Sequence, residues 1–212
     1  ARPGAQGTTQ HHAVPDTTMD AYYGTDDMSW LNEPPVAMID EEALVVRSGP
    51  RTDFWQRTHY GFCRDNGHFL YREWSGDFSA ETSFTGLYET LYDQAGMMLR
   101  TGAEHWIKCG IEYTGGAMHL SVVVTNEHSD WSVQRIATTA EPIGVRMTRL
   151  GDACSVQFRV GGDPWHMARL AWFPPAPHDV MVGLAFCSPE REGFAARYHG
   201  FEIGPAVTSD FH

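Results

Sequence analysis

Three short stretches of this chain carry side chains whose types and spacing could do chemistry. In LYDQAGMMLR, Tyr92, Asp93 and Gln94 crowd polar groups ahead of an apolar run, and Gly96 leaves room for a close approach. In WIKCGIE, Lys108 and Glu112 stand four residues apart. If extended, they share one face of a strand about 13 Å apart at ~3.3 Å per residue. They cannot pair with each other, but each can meet a partner from a neighbouring strand, such as Gln94 or Arg146. In TDFWQRTHYGF, Trp55 offers a ring for stacking, and His59 titrates near ~6.5, suited to a general acid or base. Each also has a structural alternative: Asp93 capping a turn, Gln94 bonding backbone, His59 buried and satisfied, and Trp55 plugging the rim of a core. Lys108 is the only lysine among 15 basic residues. It could bind a hydroxyl or a carboxylate, or form a Schiff base if desolvated.

Other chemistries lack their signatures. A glycosidase needs two carboxylates about 5–10 Å apart across a cleft, and the Glu-x-Asp-x-x-Glu strand pattern common in jelly-roll glucanases is absent. The histidines are scattered without His-x-His or His-Glu-x-x-His spacing. The Glu127, His128 and Asp130 group reads as a capped turn rather than a metal site, so no metal is expected. No glycine-rich loop opens a helix and no Gly-x-Ser-x-Gly elbow occurs, so no nucleotide cofactor is expected. With 27 acidic residues and a formal net charge of −12, nucleic acid and anionic membrane surfaces are poor partners. No run approaches the ~18 apolar residues of a membrane span.

The elements that must position these residues are strands. From Met28 onward about a dozen runs of five to nine residues, such as HFLYREW, HWIKCGIEY and VMVGLAFCS, alternate with turn material. DNG and TGG read as hairpin turns. No stretch keeps helical apolar spacing for ten residues, which leaves an antiparallel sandwich or barrel. Alternation places Ile107, Cys109 and Ile111 on one face of their strand and Trp106, Lys108, Gly110 and Glu112 on the other. Likewise Ala95, Met97 and Leu99 oppose Gln94, Gly96, Met98 and Arg100. Leu120, Val122 and Val124 oppose Ser121, Val123 and Thr125, and Val145 and Met147 oppose Arg146 and Thr148. One face of each strand is apolar; the other mixes rings, charges and amides. Such a face, curved inward, is a cradle for a sugar or polyol.

Residues 1–27, rich in Gly, Pro, Thr and His and including His11, His12, Tyr22 and Tyr23, read as a flexible extension or a segment added to the natural chain. They show no basic start followed by an apolar core, so no signal peptide is visible, and a leader removed before Ala1 stays open. The domain is placed at 28–206 and a tail at 207–212. The four cysteines, Cys63, Cys109, Cys154 and Cys187, lie in apolar runs without a Cys-x-x-Cys pair. They read as buried free thiols, which points to a reducing cytoplasm, with a pair of disulfides as the alternative.

WLNEPP at 30–35, TDFWQRTHYGFCRDNGH at 52–68, GDFSAE at 76–81, LYDQAGMMLR at 91–100, WIKCGIE at 106–112, LSVVVTNEHSDWS at 120–132 and SPEREGFAARYHGFEI at 188–203 follow in order. Together they resemble the family numbered 1349 among domains of unknown function, the YesU-like and regulation-of-enolase-protein-1-like group, over about 28–204. The resemblance implies an all-β, concanavalin A-like jelly-roll sandwich of two curved antiparallel sheets. Some bacterial members are associated with plant-polysaccharide use, which implies a saccharide ligand. The family has no settled catalytic residues to carry across. The expected function is a non-hydrolytic binder of a carbohydrate or polyol-like small molecule on the concave face. The expected lining is Trp55, His59, Tyr92, Asp93, Gln94, Trp106, Lys108, Glu112, Thr125 and Arg146. An enzyme (isomerase, lyase or hydrolase) would use His59, Asp93, Lys108 or Glu112 in the same pocket. A third reading is a protein-interaction module, a homodimer through a sheet edge or face included.

Overall fold

The computed structural model describes residues 27–175 and 179–207. The extension read over 1–27 therefore lies outside the described residues apart from Asp27, as do His178 and most of the tail. Among the described residues there are sixteen strands and no helix. They are β1 (Ser29–Leu31), β2 (Val36–Asp40), β3 (Ala43–Arg47), β4 (Phe54–Gln56), β5 (Cys63–Asp65), β6 (His68–Trp74), β7 (Phe78–Gly86) and β8 (Gln94–Gly102). There follow β9 (His105–Thr114), β10 (Ala117–Asn126), β11 (His128–Arg135), β12 (Ile143–Leu150), β13 (Ala153–Val160), β14 (His166–Trp172), β15 (Val180–Cys187) and β16 (Ala195–Gly204).

Two seven-stranded antiparallel sheets stack as a jelly-roll sandwich. The first runs β1-β6-β15-β8-β9-β10-β11, the second β14-β13-β12-β7-β16-β3-β2, and β4 and β5 form a separate ribbon. The alternation expected from the sequence sets which side chains meet. Met97, Leu99, Ile107, Cys109, Ile111 and Val122 of the first sheet close on Phe78, Phe84, Val145, Met147, Val156 and Tyr198 of the second, all buried. At about 1.5–3 kcal/mol for each large apolar side chain removed from water, this interface dominates the stability of the fold. Tyr198 brings its hydroxyl into the core satisfied: it donates to Ala185 O at 2.8 Å and accepts from Gly96 N at 3.2 Å.

The two expected hairpin signals part company. Gly115 and Gly116 both hold positive φ, 56° and 73°, and turn β9 into β10 as a two-residue primed turn requires. Asp65-Asn66-Gly67 does not join two paired strands. β5 pairs with β4, and the chain then crosses to β6 of the first sheet. Asn66 serves this crossing by accepting from Asp53 N and donating to Arg51 O, each at 3.1 Å. Gly67 is packed so tightly under the Phe54 ring that a Cβ there would overlap it.

The β4–β5 ribbon gives the outward face of the first sheet its character. Phe54 inserts among Phe69, Met98, Trp106, Val123, Ala185 and Cys187, making a second apolar cluster on the side away from the sandwich core. The ribbon is fastened at several points. Thr52 pairs with Ser188, Gln56 N donates to Ser129 Oγ at 2.9 Å, and Arg100 grips Asp65 through two hydrogen bonds of 2.5 and 2.9 Å. Part of the sheet face is thus roofed, and a cleft lies beside the ribbon.

Candidate functional site

The cleft holds a cavity of about 230 Å³, lined by Asp53, Trp55, Tyr60, Phe62, Tyr92, Gln94, Lys108, Glu112, Val123, Trp131, Pro189 and Glu190. Its floor is the register of three strands. Gln94 of β8 stands directly opposite Glu112 of β9, and Lys108 opposite Val123 of β10, so the period-2 pleat brings them to one surface. Gly96 and Gly110 face each other in the same ladder; a Cβ on Gly96 would collide with the Cys109 carbonyl, which explains the missing side chains beside the floor. The walls come from loops. The turn from β4 to β5, with positive φ at Arg57, His59 and Gly61, carries Tyr60 and Phe62. Arg57 anchors it through Glu104 and through Glu127 O at 2.6 Å. The residues before β8 carry Tyr92, β11 carries Trp131, and the segment after β15 carries Pro189 and Glu190.

The polar floor is a chain of contacts. Lys108 Nζ donates to Gln94 Oε1 at 2.5 Å and lies 3.8 Å from Asp53 Oδ1. Ser121 Oγ donates to Glu112 Oε2 at 2.8 Å, and Trp131 Nε1 donates to Ser121 Oγ at 3.2 Å. Burial pushes the Asp53 and Glu112 carboxyls above the usual carboxylate range, and the Lys108 ammonium opposes this in both. The Tyr92 phenol is pushed up to about 12, chiefly by its hydrogen bond with Tyr60 and then by burial. The site therefore sets buried hydrogen-bonding groups of both polarities under aromatic walls.

Of the ten residues expected to line the site, Trp55, Tyr92, Gln94, Lys108 and Glu112 do so. Five do not. Arg146 sits on β12 of the second sheet, paired with Glu81 at 3.0 Å and stacked 4.3 Å from the Trp165 ring centre. Alternation sets the face of a strand but not the sheet it joins. Asp93 is fully buried and committed: its carboxylate accepts from Glu89 N, Thr90 N and two nitrogens of Arg191. Trp106 is also fully buried, 6.2 Å from Phe54 between ring centres, with its Nε1 donating to Ala103 O. It supports the floor rather than offering a ring to a ligand. Thr125 bonds Ser129 Oγ at 2.8 Å inside the clasp that holds the ribbon. His59 is exposed at the ribbon tip, edge-on to Tyr60 at 4.9 Å. Asp53, Tyr60, Phe62, Val123, Trp131, Pro189 and Glu190 line the cavity as well, beyond the residues expected from the sequence. The cluster of rings in HYGF, beside a glycine turn, was the available signal for two of them.

A larger hollow of about 560 Å³ runs along the second sheet beside Glu81, Arg159, Trp165 and His199. The ring of its one tryptophan is already stacked by the guanidinium groups of Arg146 and Arg159, so it presents no free platform. The smaller cleft, with Lys108, Asp53 and Glu112 under its rings, is the candidate site.

These features define a concanavalin-like jelly-roll sandwich with a ring-walled cleft on the outward face of one sheet. The chain belongs to the family described as "Protein of unknown function (DUF1349)", which matches residues 30–206. It is 36% identical over 184 residues to the Saccharomyces cerevisiae protein "Regulation of enolase protein 1", covering 87% of this chain and 92% of that one. A crystal structure of a functionally unknown S. cerevisiae protein superposes with a TM-score of 0.81 at 36% identity, covering 85% of this chain and 97% of that one. The GH43 protein BlXynB of Bacillus licheniformis, as the K247S mutant, gives 0.66 at 16% identity, covering 85% of this chain and 37% of that one. The Bacillus subtilis carbohydrate-binding module CBM66 gives 0.53 at 12%, covering 86% and 96%. At these identities the last two establish the shared fold.

Proposed function

We propose that this protein binds a saccharide or polyol-like small molecule in the cleft over the first sheet. The observation that carries the reading is the composition of the lining. Apolar ring faces suited to sugar C–H surfaces stand over a floor where Lys108 donates and Glu112 and Asp53 accept, the pairing a hydroxyl satisfies with its own two roles. A cavity of about 230 Å³ is below the ~300–1,000 Å³ of drug-sized sites and suits a single ring. Two carbohydrate-active structural neighbours of the same fold support it. Calorimetric titration with a panel of mono- and disaccharides tests it, repeated with Trp131→Ala and Lys108→Gln. Binding in the parent that is weakened in both variants is the expected result. No binding by any member, or equal binding in both variants, overturns it.

A second reading is acid–base catalysis on the same ligand, favoured by two carboxyls of raised proton affinity beside the Lys108 ammonium. It requires turnover of a bound sugar that Glu112→Gln abolishes while binding persists.

A further inference from the structure

The rings of the cleft are arranged as a box. Trp55 meets Tyr60 at 5.7 Å and 69°, and Tyr92 meets Trp131 at 6.3 Å and 77°. Phe62 lies parallel to Tyr60 at 5.4 Å and extends that wall. Within the first two pairs the rings meet edge to face, and all five border the same cavity, an electron-rich surround of the kind that attracts an ammonium by cation–π interaction. Tyr60 keeps 49% of its surface exposed and so can meet a ligand, whereas the Phe62 ring is already taken up by Tyr60 and by Arg64.

The formal charge of the lining points the same way. Asp53, Glu112 and Glu190 contribute three carboxylates against the single Lys108 ammonium, a balance of −2 when all are ionised. The Lys108 side chain is only 9% exposed; its charge is spent on Gln94 and Asp53 and sits about 6 Å from the ring centres of Trp106 and Phe54 beneath the cavity. It therefore does not serve as a receptor for a carboxylate or phosphate, as a lone lysine in a pocket would otherwise suggest. Arg64, over the Phe62 ring at 5.0 Å, is exposed and its field is screened by water. The net charge of −12 adds a long-range attraction for cations.

We infer that the ligand carries a positive charge next to a ring or short polyol: an amino-substituted sugar, or another protonated or quaternary amine, in preference to neutral and acidic sugars. The inference rests on reading the cleft as the ligand site and narrows the saccharide class proposed for it. In the bound state the ammonium lies in the box of rings near Glu190, and the hydroxyls reach Lys108 and Glu112.

The test is titration of the full chain, at or just below neutral pH, with glucosamine, methyl glucoside, glucuronate and choline, at low and high salt. Glucosamine is expected to bind about tenfold tighter than methyl glucoside, with choline binding measurably, glucuronate weakest, and the glucosamine advantage shrinking in salt. Glu190→Gln, at the exposed rim of the cleft, should weaken glucosamine several-fold more than it weakens methyl glucoside, with an unchanged Tm as the folding control. If all three sugars bind alike, the charge inference falls while the saccharide reading stands. If choline binds and no sugar does, the charged box stands and the saccharide reading falls. If nothing binds, both fall.

Discussion

Arg191→Ala is expected to cost about 3 kcal/mol of stability and to loosen two walls of the cleft together. Asp93 has no exposed side-chain surface, and Arg191 supplies two of its hydrogen bonds, Nε at 2.9 Å to Oδ1 and Nη2 at 2.6 Å to Oδ2. The remaining two come from Glu89 N and Thr90 N at 3.0 and 2.9 Å. Removing one partner of a buried pair costs about 3–5 kcal/mol, because the other charge is left desolvated. The Arg191 side chain is 23% exposed, so water reaches the vacated space and the low end applies. For a chain of this size that is roughly a 6–12 °C fall in Tm. Arg191 Nη2 also donates to Leu87 O, so the guanidinium ties the loop carrying Tyr92 to the loop carrying Glu190. Urea and thermal unfolding of Arg191→Ala, Asp93→Ala and the double variant measure the effect, with the double variant costing clearly less than the sum. A loss below about 1 kcal/mol in Arg191→Ala, the range of solvated surface pairs, would refute the reasoning.

Three further outcomes follow from other sites. His68 is buried, accepts Gly49 N–H at Nε2 (2.9 Å) and so carries its proton on Nδ1, which donates to Asn32 O at 2.6 Å. Burial lowers its pKa from 6.5, so this contribution is intact above about that pH and is lost as pH falls through the lower native value. Between about pH 7 and 5 the parent should lose more stability than His68→Gln, a difference that leaves out the opposite drift of Asp53 and Glu112; parallel pH profiles would contradict it. Gly96→Ala should destabilise by about 1–3 kcal/mol or more, since its methyl meets a backbone carbonyl that cannot swing aside, and an unchanged Tm would count against the register. Contrary to the reading of four buried thiols, Cys63 alone is exposed, because it lies on the short β4–β5 ribbon rather than in either large sheet, and burial pushes the Cys154 and Cys187 thiols up to about 12. A thiol reagent should therefore titrate one group in the folded protein and four in denaturant, and more than one native equivalent would overturn the burial assignment.

Trp106 and Trp131 show how far residue type alone carries a site assignment. Both are tryptophans on strands of the first sheet, and alternation puts Trp106 on the correct outward face. Yet Phe54 arrives from 52 residues earlier in the chain and seals it, while Trp131 keeps a ring at the cavity. Lys108, Glu112 and Gln94 were legible because one strand register brings them together, and register follows from the period-2 pattern. Asp53, Pro189 and Glu190 were not, because each sits in a loop with no periodicity, delivered by long-range contacts such as the Thr52–Ser188 bridge.

What the chain determines on its own is therefore the alternation: strands, their apolar faces, the glycine turn after β9 and the outward parity of Gln94, Lys108 and Glu112. These depend on local sterics and on neighbouring residues, which the order of amino acids states directly. The tertiary structure alone decides that Arg146 belongs to the other sheet, that Asp93 is claimed by Arg191, and that the β4–β5 ribbon roofs part of the face and leaves a ring-walled cleft. Those outcomes depend on which distant segments meet, and that is set by the packing of the whole sandwich rather than by any one segment.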